Sequence, residues 1–312
     1  MSIRRKFRII SLQFLYAQHL SKMDSNQVEK NMLQSIEELH NLYISLLCLI
    51  LKIRESILTN NGNNKNFIQK KFACNSVIKI LSNNEYLIQE YYSSEKKEKI
   101  LWKKQDEYFF VLLQDLLQVM YTSHLCKKYF DHPSSSFEEE KKFIIKYYKN
   151  FIIPNKKLIG YAEDLYINGQ ENLCIAHSMV CKTLQFIKHS TPSNFRLYNI
   201  YKNNENIKFI IDLYRNTIFH KKEFNDLIST ISNNWDIKRI SVIDLIILQM
   251  SICEFLYFPN IPPKATMNEY IEITKIFCTE KSKIFINGIL DQIFKLLHKK
   301  NKIFKEGKGL TK

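Results

Sequence analysis

Trp235-Asp236-Ile237-Lys238-Arg239-Ile240 opens the stretch that decides the fold, and the apolar block Val242 to Phe258 follows it directly. The chain then breaks at Pro259 and Pro262-Pro263 and restarts as Lys264-Ala265-Thr266-Met267-Asn268-Glu269-Tyr270-Ile271-Glu272. Proline has no N–H and a fixed φ, so it ends one helix and is tolerated in the first turn of the next. A third segment runs from Thr279-Glu280-Lys281-Ser282-Lys283 into Ile284-Phe285-Ile286-Asn287-Gly288-Ile289-Leu290-Asp291. The spacing predicts helices over 237–256, 264–277 and 282–299, with Ser282 as an N-cap and Asn287-Gly288 as a point where two helices approach closely.

The rest of the chain agrees with an all-α fold. Only 6 Gly and 6 Pro occur among 312 residues, too few for the turns of a many-stranded sheet protein. Apolar residues make up 45%, a globular composition. A first helix over 3–20 carries Phe7, Ile10, Phe14 and Ala17 at helical spacing, and a second runs over 27–59 with Ser25 or Asn26 as its cap. Asn60 to Asn64 end that helix. Further apolar patches at 67–81, 86–93, 99–128, 137–151 and 158–188 lie before a linker, Ser190 to Asn194, and helices over 204–219 and 223–233.

The order of these pieces resembles the NusB family of transcription antitermination factors. The W-x-x-x-R-I start, the P-P-K-A-x-x-N-E-Y helix opening and the K-S-x-x-F-I-N-G-I-L-D helix all carry the resemblance. So does the beginning of the chain, where Arg4-Arg5-Lys6-Phe7-Arg8 precedes Leu12-Gln13-Phe14-Leu15-Tyr16-Ala17. It covers residues 1 to about 25 and roughly 203–310, and it implies an all-α NusB-like bundle with an additional helical insertion. The expected organisation is a basic helix at 1–25, an insertion at 26–200, a C-terminal module at 201–300 and a basic, mobile tail at 301–312.

Charge bears on the partner. The net charge is +15, from 46 basic and 31 acidic residues, which favours a polyanion, although an AT-rich genome also enriches lysine. More telling is the cluster Arg4, Arg5, Lys6 and Arg8, with no acid until Asp24. Arginine forks bind phosphate and stack on unpaired bases, and cations at a helix N-terminus oppose the dipole, so the cluster needs a reason. The helical spacing expects the arginines to converge on one exposed patch.

The resemblance implies that Arg4, Arg5, Lys6, Arg8, Gln13, Lys281, Lys283 and Phe285 face single-stranded boxA-type ribosomal RNA. It implies that Tyr16 and Asp244 meet the ribosomal small-subunit protein NusE, within an antitermination complex on RNA polymerase. Read from the residues alone, Phe285 is more often a core position than a base-stacking platform, and Asp244 is equally an internal ion-pair partner of Arg239 or Lys238. Gln249 departs from the family, which carries Arg or Lys there, and Lys281 stands where many members are acidic.

Other classes find less support. No P-loop, G-x-G-x-x-G, H-E-x-x-H or nucleophile elbow occurs, so no enzyme and no cofactor is expected. Cys174, His177 and Cys181 share a helix face without a fourth ligand. The seven cysteines form no C-x-x-C pair and no leader-like segment opens the chain, so a cytoplasmic protein with reduced thiols and no membrane contact is expected. The alternatives are an RNA-binding domain of an rRNA-modifying system and a helical scaffold without an RNA role.

Overall fold

A computed structural model describes residues 3–59, 67–93, 107–132, 134–166, 168–197, 204–231 and 237–305. Trp235 and Asp236 of the motif, Asn60 to Asn64, and 306–312 of the tail lie outside the described residues. Every regular element among the described residues is helical. The chain divides into two compact units, one of residues 1–34 and 203–312, the other of residues 35–202.

The first unit is built from α1 (Ile3–Ser21), the start of α2 (Ser25–Thr59), α11 (Asn204–Phe219), α12 (Lys221–Ile231), α13 (Val242–Tyr257), α14 (Pro263–Phe277) and α15 (Glu280–Lys299). α13 is its axis. It packs against α1, α11, α12, α14 and α15, and Ile246 to Phe255 are all buried. A helix apolar on every side can exist in water only when neighbours cover it completely, which is why this segment organises the others.

Local chemistry sets the ends. Asp24, not Ser25 or Asn26, caps α2, its carboxylate accepting from the backbone N–H groups of Asn26 and Gln27. Ser241 caps α13 by accepting from the Asp244 N–H at 3.1 Å, and Pro263 stands at the first position of α14. α15 begins earlier than its sequence suggests: Thr279 is the cap, accepting from the Ser282 N–H at 3.2 Å. That frees the Ser282 hydroxyl for another partner, described below. A Cβ added at Gly288 would meet nothing within 4 Å, so the expected close helix approach at Asn287-Gly288 is absent; both residues are exposed and no packing explains the glycine.

The centre of this unit is charged. Arg8 on α1 is 3% exposed and makes a two-pronged contact with Glu254 on α13, Nη2 to Oε1 at 2.7 Å and Nε to Oε2 at 2.8 Å. Thr266 donates to the same carboxylate at 2.7 Å and Tyr270 at 3.3 Å. Burial works against the Arg8 charge, yet the Glu254 carboxylate outweighs it and holds the guanidinium pKa above its ordinary value. Just beyond α15, Lys305 donates to the carbonyls of Glu254 and Phe258, at 3.1 and 2.9 Å. Burial pushes its pKa down to about 8, against the pull of Glu254. The tail is therefore fastened as far as Lys305 and caps α13, whose last carbonyls lack helical partners.

The second unit holds the rest of α2 with α3 (Phe67–Ala73), α4 (Ser76–Ser82), α5 (Glu85–Ser93), α6 (Glu107–Thr122), α7 (His124–Phe130), α8 (Phe137–Tyr147), α9 (Lys156–Leu165) and α10 (Gly169–Phe186). Leu39, Leu42, Tyr43, Leu46, Leu47, Leu49, Ile50 and Ile53 of α2 are fully buried within it. A capping box between Ser136 and Glu139 starts α8, which runs into a π-helical turn, Tyr148–Ile152. The single helix expected over 158–188 is two. Gly169 allows the turn between them, because a Cβ there would lie 2.1 Å from the Ala162 carbonyl oxygen. The expected linker at 190–194 is anchored: Asn84 donates to the carbonyls of Ser193 and Phe195, at 3.0 and 2.8 Å, while its own carbonyl oxygen caps α5.

His177 is an interior residue of this unit, its Nδ1 2.7 Å from the Tyr148 hydroxyl, whereas Cys174 is exposed, so the two do not converge. Burial lowers the imidazole pKa to about 4. Among the described residues no helix is long and apolar enough to cross a membrane, and no group of His, Cys, Asp and Glu could hold a metal ion.

Two expectations follow. Glu254→Ala leaves Arg8 buried without its counter-charge and should cost about 3–5 kcal/mol of unfolding free energy, while Arg8→Met combined with Glu254→Leu should cost much less, both read from denaturant titrations. For His177 the folded pKa lies below the unfolded 6.5, so the unfolded chain binds the extra proton between pH 6.5 and about 4. Stability should fall by about 3 kcal/mol as pH drops through that window. His177→Gln should flatten that part of the curve.

Candidate nucleic-acid interface

The N-terminal cations do not form a single exposed patch, because helix geometry turns two of them aside and packing buries a third. Successive side chains in a helix are about 100° apart, so Arg5 and Lys6 diverge from Arg4 and Arg8, while Arg4 and Arg8, one turn apart, differ in depth: the packing of α1 buries Arg8 and leaves Arg4 exposed. Arg4 is exposed, with its guanidinium 5.9 Å from the Phe209 ring centroid on α11. Arg5 is half-buried and turns to α14, where Nε meets Glu269 Oε2 at 2.6 Å and Nη1 lies 3.7 Å from Glu272. The hydrogen bond to Glu269 is the main reason its pKa is raised.

Lys6 and Arg8 leave the surface altogether, at 1% and 3% exposure. This corrects the expected patch. The physical reason is that α1 must bury one face against α11 and α13, and Arg8 falls on that face beside Phe7. Phe209 and Tyr270 also lie under its guanidinium, at 5.4 and 5.8 Å. Gln13 is half-buried on the same helix.

Elements distant in sequence meet at Glu272. Its carboxylate is hydrogen-bonded by Lys275 and lies in the fields of Arg5 and Lys283, and together, Lys275 foremost, they hold its pKa below the usual carboxylate range. Lys283 also pairs with Glu280 at 2.8 Å. Lys281 beside it is exposed and makes no ion pair among the described residues. The start of α1, the end of α14 and the first turn of α15 thus meet in one charged cluster, Arg5, Lys275 and Lys283 with Glu269, Glu272 and Glu280, and Arg4 and Lys281 are exposed next to Arg5 and Glu280 in the chain. Phe285 is half-buried on α15, and Ile284 next to it is 73% exposed.

Lys275 and the two acids that pair with Arg5 are the members that sequence reasoning missed. The i, i+3 spacing of Glu269 and Glu272, one turn apart on α14, was the available signal that this helix shows acids to one side.

Asp244 is 7% exposed and turns inward. Its Oδ2 accepts from the Ser282 hydroxyl at 2.9 Å, so its internal partner is on α15 and is a neutral hydroxyl, not the expected Arg239 or Lys238. Burial, with the hydrogen bond and charge of Asp244, pushes the Cys278 thiol up to about 12. The other carboxylate oxygen of Asp244 is buried without a hydrogen bond among the described residues. Tyr16 is half-buried on α1. Gln249 donates to Asn225 at 2.7 Å, which ties α13 to α12 in the place of an ion pair.

Residues 179–295 match the model of the NusB family. The transcription antitermination protein NusB of Salinibacter ruber is 38% identical over 102 residues, 33% of this chain and 64% of that protein. Its namesake in Syntrophus aciditrophicus is 45% identical over 82 residues, 26% of this chain and 51% of that protein. In Chloroherpeton thalassium the figures are 35% over 103 residues, 33% and 49%. The chain therefore spans about half to two thirds of the length of the curated relatives it matches. Among solved structures, T. maritima NusB is 29% identical, covering 36% of this chain and 73% of its own, with a TM-score of 0.29.

If the exposed cations Arg4 and Lys281 meet a polyanion, Arg4→Ala with Lys281→Ala should weaken binding and reduce the slope of log affinity against log salt by about 0.7 per lost phosphate contact on a single strand. The melting temperature should stay unchanged. Arg8→Ala should lower the melting temperature instead, and at a temperature where it is folded its salt slope should match the parent's.

Proposed function

We propose that this protein is an RNA-binding transcription antitermination factor that pairs with NusE and binds the boxA element of nascent ribosomal RNA, helping to assemble the antitermination complex on RNA polymerase. The observation that carries this reading is the cationic edge at the start of α1 and α15, where Arg4 and Lys281 have no acidic partner among the described residues. Its relatives bear the name of transcription antitermination proteins, which supports the general role.

The chemistry is that of recognition and not of catalysis. Phosphates are drawn to Arg4, Lys281 and, in competition with their carboxylates, to Arg5, Lys275 and Lys283. Pairing with Glu269 holds the Arg5 fork in a fixed direction, so less conformational freedom is lost when RNA arrives. A cationic edge of this kind attracts single strands with little regard to sequence, and base selection falls to unpaired bases stacking beside it, with Phe285 the aromatic at hand. Tyr16 serves as the partner-facing residue in this reading, while Asp244 is turned inward to Ser282.

An electrophoretic mobility shift with boxA and scrambled RNA, with and without NusE, tests the proposal. Preferential binding of boxA that tightens on adding NusE is the expected result. Equal binding of both RNAs under both conditions would reduce the assignment to a non-specific RNA binder, and no shift at low salt would reject it.

A further inference from the structure

The far end of α1 carries a second constellation that the cationic edge does not include. Between α1, α11 and α13 lies a cleft of about 300 Å³, lined by Leu15, Gln18, His19, Thr217, Ile218, Lys221, Ile246 and Gln249. Its walls are apolar at Leu15, Ile218 and Ile246. Gln249 gives its amide to Asn225, and the carbonyl oxygen of the same side chain accepts no hydrogen bond among the described residues. His19 and Lys221, both exposed, make no ion pair among the described residues.

Phe219 and His220 lie in the chain between Ile218 and Lys221 of the cleft wall. Phe219, the last residue of α11, is 83% exposed. Next to it the His220 ring lies stacked on Tyr257, with centroids 4.4 Å apart and planes at 21°, and the Phe219 ring stands edge-on to it at 4.8 Å. Lys222 follows Lys221 and is also exposed without an ion pair among the described residues. The acids nearby are Glu223, which pairs with His220 at 3.2 Å, and Asp226 one turn further along α12.

We infer that this cleft, with Lys221 in its wall and Phe219 and Lys222 close to Lys221 in the chain, is a second nucleotide-binding site that takes an unpaired base of the RNA strand held at the cationic edge. The inference rests on the RNA-binding reading above. Each part has its counterpart in a single-stranded nucleotide. Apolar walls cover the faces of a base, the free Gln249 carbonyl oxygen accepts from an exocyclic amine at its edge, an exposed aromatic ring stacks a neighbouring base, and paired lysines meet the phosphate between them. The volume stands at the lower end of the range for small-ligand pockets, about 300–1,000 Å³, which suits one planar base and excludes a helix or strand. Both sites are on α1, Arg4 at one end and His19 at the other, fifteen residues or about 22 Å apart along the axis. One extended strand reaches both.

The test uses the full chain, with NusE present if binding requires it, and single-stranded RNA carrying 4-thiouridine. Photo-crosslinks should map to the peptide containing Phe219 to Lys222 as well as to the start of α1. The triple variant Phe219→Ala, Lys221→Ala, Lys222→Ala, whose three side chains are exposed, should lose about tenfold in affinity for a strand long enough to span both sites. It should lose nothing for a strand too short to do so. Undiminished affinity of the triple variant for the long strand, with crosslinks confined to α1, α14 and α15, would overturn the inference and leave the RNA-binding proposal standing. Absence of any RNA binding by the parent protein would overturn both. Binding of an acidic, aromatic-containing peptide that the triple variant loses, without RNA crosslinks at the cleft, would assign the site to a protein partner instead.

Discussion

Arg8 and Glu254 meet in the interior of the first unit, one from the beginning of the chain and one from its last quarter, and each is stranded without the other. Removing one charge would leave its partner in a medium that solvates it poorly, a penalty of several kcal/mol. The pair is therefore demanding in geometry, and its surroundings meet the demand. Thr266 and Tyr270 supply the remaining hydrogen bonds to the carboxylate, and Phe209 and Tyr270 flank the guanidinium. Three helices, α1, α13 and α14, are thereby held in one register, and Lys305 closes the end of α13 on the carbonyl of Glu254 itself.

This constraint shapes the surface as well. With Arg8 directed inward, Arg5 is carried to Glu269 and Glu272, and Arg4 to the face of Phe209. The same α14 that satisfies Glu254 with Thr266 and Tyr270 from one side presents Glu269, Glu272 and Lys275 from another. Interior polar satisfaction and exterior charge pattern are thus two faces of one helix placement. Arg4, Lys281, Lys221 and Lys222 are exposed and make no ion pair among the described residues.

Many helix ends of the second unit are satisfied by local means. Asn75, Asn84, Ser123, Ser136 and Asn155 each accept from the first N–H groups of the helix they precede. Short helices tolerate burial here because their ends are satisfied this way and not by water. Tyr148 and His177 share a hydrogen bond in an apolar setting, and burial lowers the imidazole pKa to about 4.

Helix content, the boundaries of α1, α2, α11 and α14, and the NusB resemblance were legible in the residues, because periodicity, proline breaks and motif spacing are local properties of the chain. The 204–219 and 264–277 segments were placed to within a residue for that reason. Direction around each helix was not legible. Arg4 and Arg8 look equivalent in a string of four cations, and only the packing of α1 on α13 determined that one would face solvent and the other Glu254. The same holds for Ser282, a plausible cap that instead donates to Asp244 from another helix, and for Gly288, whose expected close contact does not form. A sequence states which side chains can bond; which of two suitable partners lies within 3 Å depends on how separate helices cross, and that was settled by the burial of α13.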